Sequence, residues 1–150
     1  MRILRLGSTI GVLLALLVAP MASAAAPPTT VITIDVVFDV AETFTATGGV
    51  ICDSGTAVTD PVFVAGFGRM GRGVGTFHLV KTLTCDDGSG TFKLLVDAAA
   101  APSSPGTLGG FAVGRGTGDY TGLRGGGSLV GTATDGGIID VYTGNLRIVG

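Results

Sequence analysis

Tryptophan is absent from this chain, histidine occurs once, cysteine twice, and charged side chains make up only 13% of its 150 residues. Each shortage removes a class of activity. With a single histidine, any Ser-His-Asp or Cys-His relay has to pass through His78. That residue sits between Phe77 and Leu79 in an extended apolar run, and no Gly-x-Ser-x-Gly elbow accompanies it. Two isolated cysteines without a second ligand cluster do not make a zinc site. Asp86-Asp87-Gly88 lacks the further oxygen ligands of a calcium loop, so no metal and no cofactor is expected. The basic residues are scattered from Arg69 to Arg147, which excludes the basic face that nucleic acid requires. After the first two dozen residues, no apolar run approaches the ~20 residues of a membrane-spanning helix.

What is present begins at the N-terminus. Arg2 and Arg5, the apolar run Ile10–Val18 and then Ala22-Ser23-Ala24 form the pattern of a secretory signal peptide over residues 1–24. The expected mature protein is secreted to the extracellular space, with no membrane span once the signal is cleaved. Cleavage leaves seven basic against eleven acidic residues, a formal charge of −4. Residues 25–30, Ala-Ala-Pro-Pro-Thr-Thr, read as a flexible mature terminus, because Pro27-Pro28 can neither donate to a ladder nor continue a helix. Residues 31–150 are the length of one domain.

Within that domain the period is two. Ile32, Ile34, Val36, Phe38 and Val40 fall on one side of an extended chain. Pro61 precedes a short apolar run, Val62–Phe67. Phe77, Leu79, Leu83 and Cys85 share one face of the next strand, Asp86-Asp87-Gly88-Ser89-Gly90 reverses the chain, and Phe92, Leu94 and Val96 return. Lys81 and Leu95 interrupt this alternation. Residues 99–107, with Pro102 and Pro105, read as a loop. Gly114–Gly127 is a glycine-dense segment of tight or bulged backbone, and a last strand, Ile138–Ile148, is interrupted at Gly144-Asn145. About eight short strands without a helix predict an all-β fold. An antiparallel barrel is expected because closure leaves no unpaired edge, with a β-sandwich as the alternative.

In an oxidising compartment Cys52 and Cys85 are expected to form a disulfide that ties two loops at one end of the sheet. Asp53-Ser54-Gly55-Thr56 has the form of an aspartic-protease turn but occurs once, and the second aspartate that shares the proton is missing. Gly114-Arg115-Gly116-Thr117-Gly118 matches neither dinucleotide nor Walker loops.

Gly116-Thr-Gly-Asp-Tyr-Thr-Gly-Leu-Arg-Gly125, Gly127-Ser-Leu-Val-Gly131 and Asp140-Val-Tyr-Thr-Gly144 resemble the closing segments of allene oxide cyclase/dirigent-type barrels. Cys52-Asp-Ser-Gly55 and Cys85-Asp-Asp-Gly-Ser-Gly-Thr-Phe92 resemble motifs of small secreted bacterial members of that group. The resemblance covers roughly residues 50–145 and implies a barrel whose cavity does the work. Among the matched residues, Tyr120 and Arg124 are the polar candidates for ligand binding. The first expectation is a non-catalytic secreted barrel that holds a small apolar ligand. The alternatives are a cyclase-like or dirigent-like enzyme, which requires a polar cluster inside the barrel, and an extracellular interaction protein. Oligomeric state is not legible in the sequence.

Overall fold

Alternating apolar residues that must all leave water, on strands too twisted to lie flat, are accommodated by rolling the sheet closed. A computed structural model describes residues 26, 28–37, 42–60, 63–65, 75–100 and 106–150. It contains nine strands: β1 (Thr29–Val37), β2 (Glu42–Thr47), β3 (Ser54–Thr59), β4 (Phe63–Ala65), β5 (Gly75–Cys85), β6 (Thr91–Ala100), β7 (Gly106–Gly116), β8 (Leu123–Thr134) and β9 (Gly137–Ile148). A 3-10 turn, Gly118–Tyr120, links β7 to β8. The signal segment read over residues 1–24, the Phe38–Val40 end of the first strand and the Pro102–Pro105 segment lie outside the described residues.

The strands pair in the order β3-β2-β1-β9-β8-β7-β6-β5-β4, and a further β3–β5 ladder closes the ring. The result is a closed antiparallel barrel of eight strands. β3 and β4 share one edge of β5: Gly55–Thr59 pair with Lys81–Cys85, and Phe63–Ala65 pair with Thr76–His78. Beyond β3 the Asp60 N–H donates to the Val80 carbonyl at 2.9 Å, which extends the β3–β5 ladder by one bond. Cys52, just ahead of β3, and Cys85, the last residue of β5, form a disulfide with Cα atoms 6.0 Å apart. The bridge lies on the strand pair that closes the barrel.

Inward positions follow the period of two. Ile32, Ile34, Phe44, Leu83, Phe92, Leu94, Leu123, Tyr142 and Leu146 are at most 2% exposed. Their rings meet edge to face, Phe44 with Phe92 at 6.2 Å and Phe111 with Tyr142 at 5.5 Å between centroids. Four sequence expectations need correction. β1 begins at Thr29, because Thr29 and Thr30 find partners in Asn145 and Gly144. β6 extends through Ala99 and Ala100, which pair with Leu108 and Thr107, so both ends of the interval read as a loop at 99–107 are strand, and residues 101–105 lie outside the described residues. Much of Gly114–Gly127 is also strand, in β7 and β8, with only residues 117–122 between them. β9 runs unbroken through Gly144, where a Cβ would come within 2.9 Å of Phe111 Cζ. Glycine there admits the ring rather than breaking the strand.

Closing a loop of 33 residues with a disulfide is worth roughly 3.5–4 kcal/mol in the chain-entropy model. Replacing Cys52 and Cys85 together by alanine is expected to lower unfolding stability by about that amount, less any strain relieved. Urea midpoints of the two proteins at equal m-value check it.

Candidate functional site

Two groups of polar side chains lie inside the barrel, one at each end of its filled core. The first surrounds Tyr120. The 3-10 turn directs this ring inward, where it is 4% exposed and meets Phe92 edge to face at 5.3 Å. Its hydroxyl accepts a hydrogen bond from the Cys52 N–H at 2.9 Å, lies 2.8 Å from Ser89 Oγ and 3.5 Å from Cys85 Sγ. Tyr120 therefore plugs the disulfide end and fixes the loops that carry the bridge. Arg124 points the other way. It is exposed on the outer face of β8, in register with Arg147, and donates from Nη1 to the Leu123 carbonyl at 2.7 Å. The two candidates read from the sequence are thus not brought together.

The second group was not singled out by sequence reasoning. Lys81, on β5, is 3% exposed, and its ammonium donates to Glu42 Oε2 at 2.7 Å and to Thr59 Oγ1 at 2.8 Å. Thr59 in turn donates to Glu42 Oε1 at 2.8 Å. Across the lumen, Asp140 Oδ2 lies 3.9 Å from the Lys81 ammonium and accepts from the Tyr142 hydroxyl at 3.3 Å. Gly131, opposite Asp140 in the β8–β9 ladder, makes room for this carboxylate, since a Cβ there would stand 2.6 Å from Oδ1.

The phase of β5 explains how Lys81 enters. It shares its face with Phe77, Leu79, Leu83 and Cys85, so the interruption seen in the sequence is chemical and not geometric. A charged residue on the apolar phase of a strand is the signal that identifies it. Asp140 is marked in the same way, on the phase of Tyr142 and Leu146.

Burial dominates the electrostatics. It pushes the Asp140 carboxyl above the usual 3.8, against the pull of Lys81 and the Tyr142 hydrogen bond. It also raises Tyr142 far above the ordinary phenol value, with the Asp140 charge adding to the effect, so the phenol stays protonated and donates. Breaking the Lys81–Glu42 pair from one side would leave an uncompensated charge at a cost of about 3–5 kcal/mol.

The remaining polar motifs stand outside this interior. His78 is exposed and paired with Asp97 on the neighbouring strand. Ser54, in the protease-like turn, donates to Asp86 Oδ2 at 2.9 Å. Asp87, in the turn before β6, accepts from the Ser89 N–H, as an ordinary turn requires. No cluster of three or more metal-ligating side chains occurs among the described residues.

Comparison with protein families, characterised proteins and solved structures finds no match. The resemblance to allene oxide cyclase/dirigent-type barrels therefore rests on the motifs quoted above.

Two outcomes test these assignments. Tyr120→Phe removes the acceptor of the buried Cys52 N–H and is expected to cost about 1–3 kcal/mol with the disulfide intact, measured by urea unfolding and thiol titration. For Asp140, the raised folded-state value means that the native protein binds a proton more tightly than the unfolded chain above about pH 4. That contribution favours the fold on the acid side and is lost as pH rises. Asp140→Asn abolishes it, so the stability of the variant relative to wild type is expected to increase from pH 4 to pH 7 in paired urea titrations.

Proposed function

We propose that this chain is an exported, non-catalytic β-barrel that holds a small and largely apolar molecule in the half of its interior facing away from the disulfide. The observation that carries the reading is the ionic cluster of Lys81, Glu42 and Asp140 with Tyr142, set inside a barrel whose other buried side chains are, Thr30 apart, aliphatic, aromatic or the disulfide. A barrel that needed only a core would fold as well with apolar residues at these positions, since a buried ion pair returns little stability for its desolvation cost. Beyond the cluster, toward the far end, Val36, Phe77, Leu79 and Ile138 face inward but are only partly buried. This is the lining expected of a site that takes an apolar body over a few placed polar groups. The disulfide and the export pattern of residues 1–24 support an extracellular setting, and no helix of the described residues is long and apolar enough to cross a membrane.

A second reading is favoured by the same cluster. Carboxylates, an ammonium and a phenol inside a barrel are what a cyclase-like or dirigent-like enzyme needs for acid–base work. Binding is preferred because the Lys81 ammonium is already spent on Glu42 and Thr59, and because the Tyr142 phenol is held protonated.

Native mass spectrometry of the protein exported by its producing cell tests the proposal. The expected mass is that of residues 25–150 less two hydrogens, plus a non-covalent small molecule. The double variant Lys81→Met/Glu42→Gln, which removes both charges at similar volume, is expected to lose the adduct. A wild-type barrel that carries nothing would count against binding.

A further inference from the structure

We infer that the outer face of β7, β8 and β9 is a contact between two copies of this chain, related by a two-fold axis that lies across the strands. The contact is on the outside of the barrel and is independent of what the interior holds.

The face is apolar at its centre. Leu108 on β7, Val130 on β8 and Val141 on β9 pair in one row across the three strands, and Ile139 stands in the next row. Leu108 is 63% exposed, Val130 47% and Ile139 37%. The outward positions from Leu108 to Ala112, from Gly126 to Thr134 and from Ile139 to Asn145 carry no charged side chain. On the β6 flank Asp97, opposite Gly110, is taken up by His78. Exposed apolar side chains that adjoin one another mark a protein contact, whereas single ones do not. At a strand spacing of ~4.8 Å and a rise of ~3.3 Å per residue, three strands of this length present roughly 550 Å² per copy, or about 1,100 Å² in all, enough for a specific interface.

The charges at the two ends of the face identify what covers it. At the disulfide end Arg124 and Arg147 stand directly opposite each other on β8 and β9, a like-charge pair that is unfavourable in a ladder. At the other end are Asp35, exposed on β1 opposite Ile139, and Asp135, exposed in the turn from β8 to β9. None of these four residues has an ion-pair partner among the described residues. An axis across the strands lays one copy on the other with its strands reversed. Arg124 and Arg147 of each copy then meet the Asp35 and Asp135 end of the other, with Ser128 and Val130 beside the axis. An axis along the strands would bring like ends together. A face with opposite charges at its two ends and none between them is complementary to itself, which is the requirement of a two-fold contact.

Sedimentation velocity of the disulfide-bonded protein and of two charge-reversed variants tests the inference. The wild type is expected to be a dimer at roughly 100 μM and to dissociate on dilution to about 1 μM. Arg124→Glu/Arg147→Glu makes both ends acidic and Asp35→Lys/Asp135→Lys makes both basic. Each variant alone is expected to dimerise about tenfold or more weakly, and an equimolar mixture of the two is expected to regain the dimer, because opposite ends then meet again. All four positions are on the outer surface, and circular dichroism confirms the fold of each variant. A wild type that stays monomeric throughout overturns the contact. Variants that dimerise as tightly as wild type, or a mixture that remains monomeric, overturn the reversed arrangement on which it is argued.

Discussion

The barrel depends on one ladder, β3 against β5. Every other pairing joins strands that are sequence neighbours or the two terminal strands, and without β3–β5 the sheet would be an open one with exposed edges. The chain concentrates its cross-links on that seam. Cys52–Cys85 bridges it at one end, Ser54 donates to Asp86 beside the bridge, Lys81 reaches Thr59 further along, and the Asp60 N–H bonds the Val80 carbonyl where β3 gives way to β4. Tyr120 reinforces the same end from inside, since its hydroxyl holds the Cys52 backbone and approaches Cys85.

The interior is organised by this closure. Around the ring, β5 and β9 are four strands apart in either direction, so Lys81 and Asp140 face one another across the lumen. The ionic cluster thus forms a partition. On the disulfide side, Phe44, Phe92, Leu83, Leu94, Leu123 and Leu146 are at most 2% exposed and pack the interior, as an eight-stranded barrel permits. On the other side, the inward residues keep part of their surface accessible. A structural staple and a polar partition at different depths give one barrel a rigid end and a receptive end, and Lys81 belongs to both arrangements because it closes the seam and carries the charge.

The strand content, the turn at Asp86–Gly90 and the disulfide were legible in the sequence, because alternation, turn residues and two cysteines behind a signal-like N-terminal pattern are local or compositional signals. The extent of the strands was less so. Gly114–Gly127 and Gly144 read as interruptions when glycine is judged by its own freedom. Gly144 is a strand position that admits the Phe111 ring, and at Gly126 and Gly127 a Cβ would meet the backbone of the neighbouring strands, which only the partners across the ladders reveal. Lys81 shows the same limit for the site. Its phase along β5 was visible, but an inward lysine is stable only if a carboxylate stands within reach, and Glu42 lies 39 residues away in the chain.

By itself, then, the sequence determined that the chain forms antiparallel strands with one apolar face and which two cysteines could pair, since both follow from short-range periodicity and counting. The tertiary structure decided which strands close the ring and which charged residues meet inside it. Those outcomes depend on register between segments far apart in sequence, and a shift of one residue would have turned Lys81 and Asp140 outward to solvent.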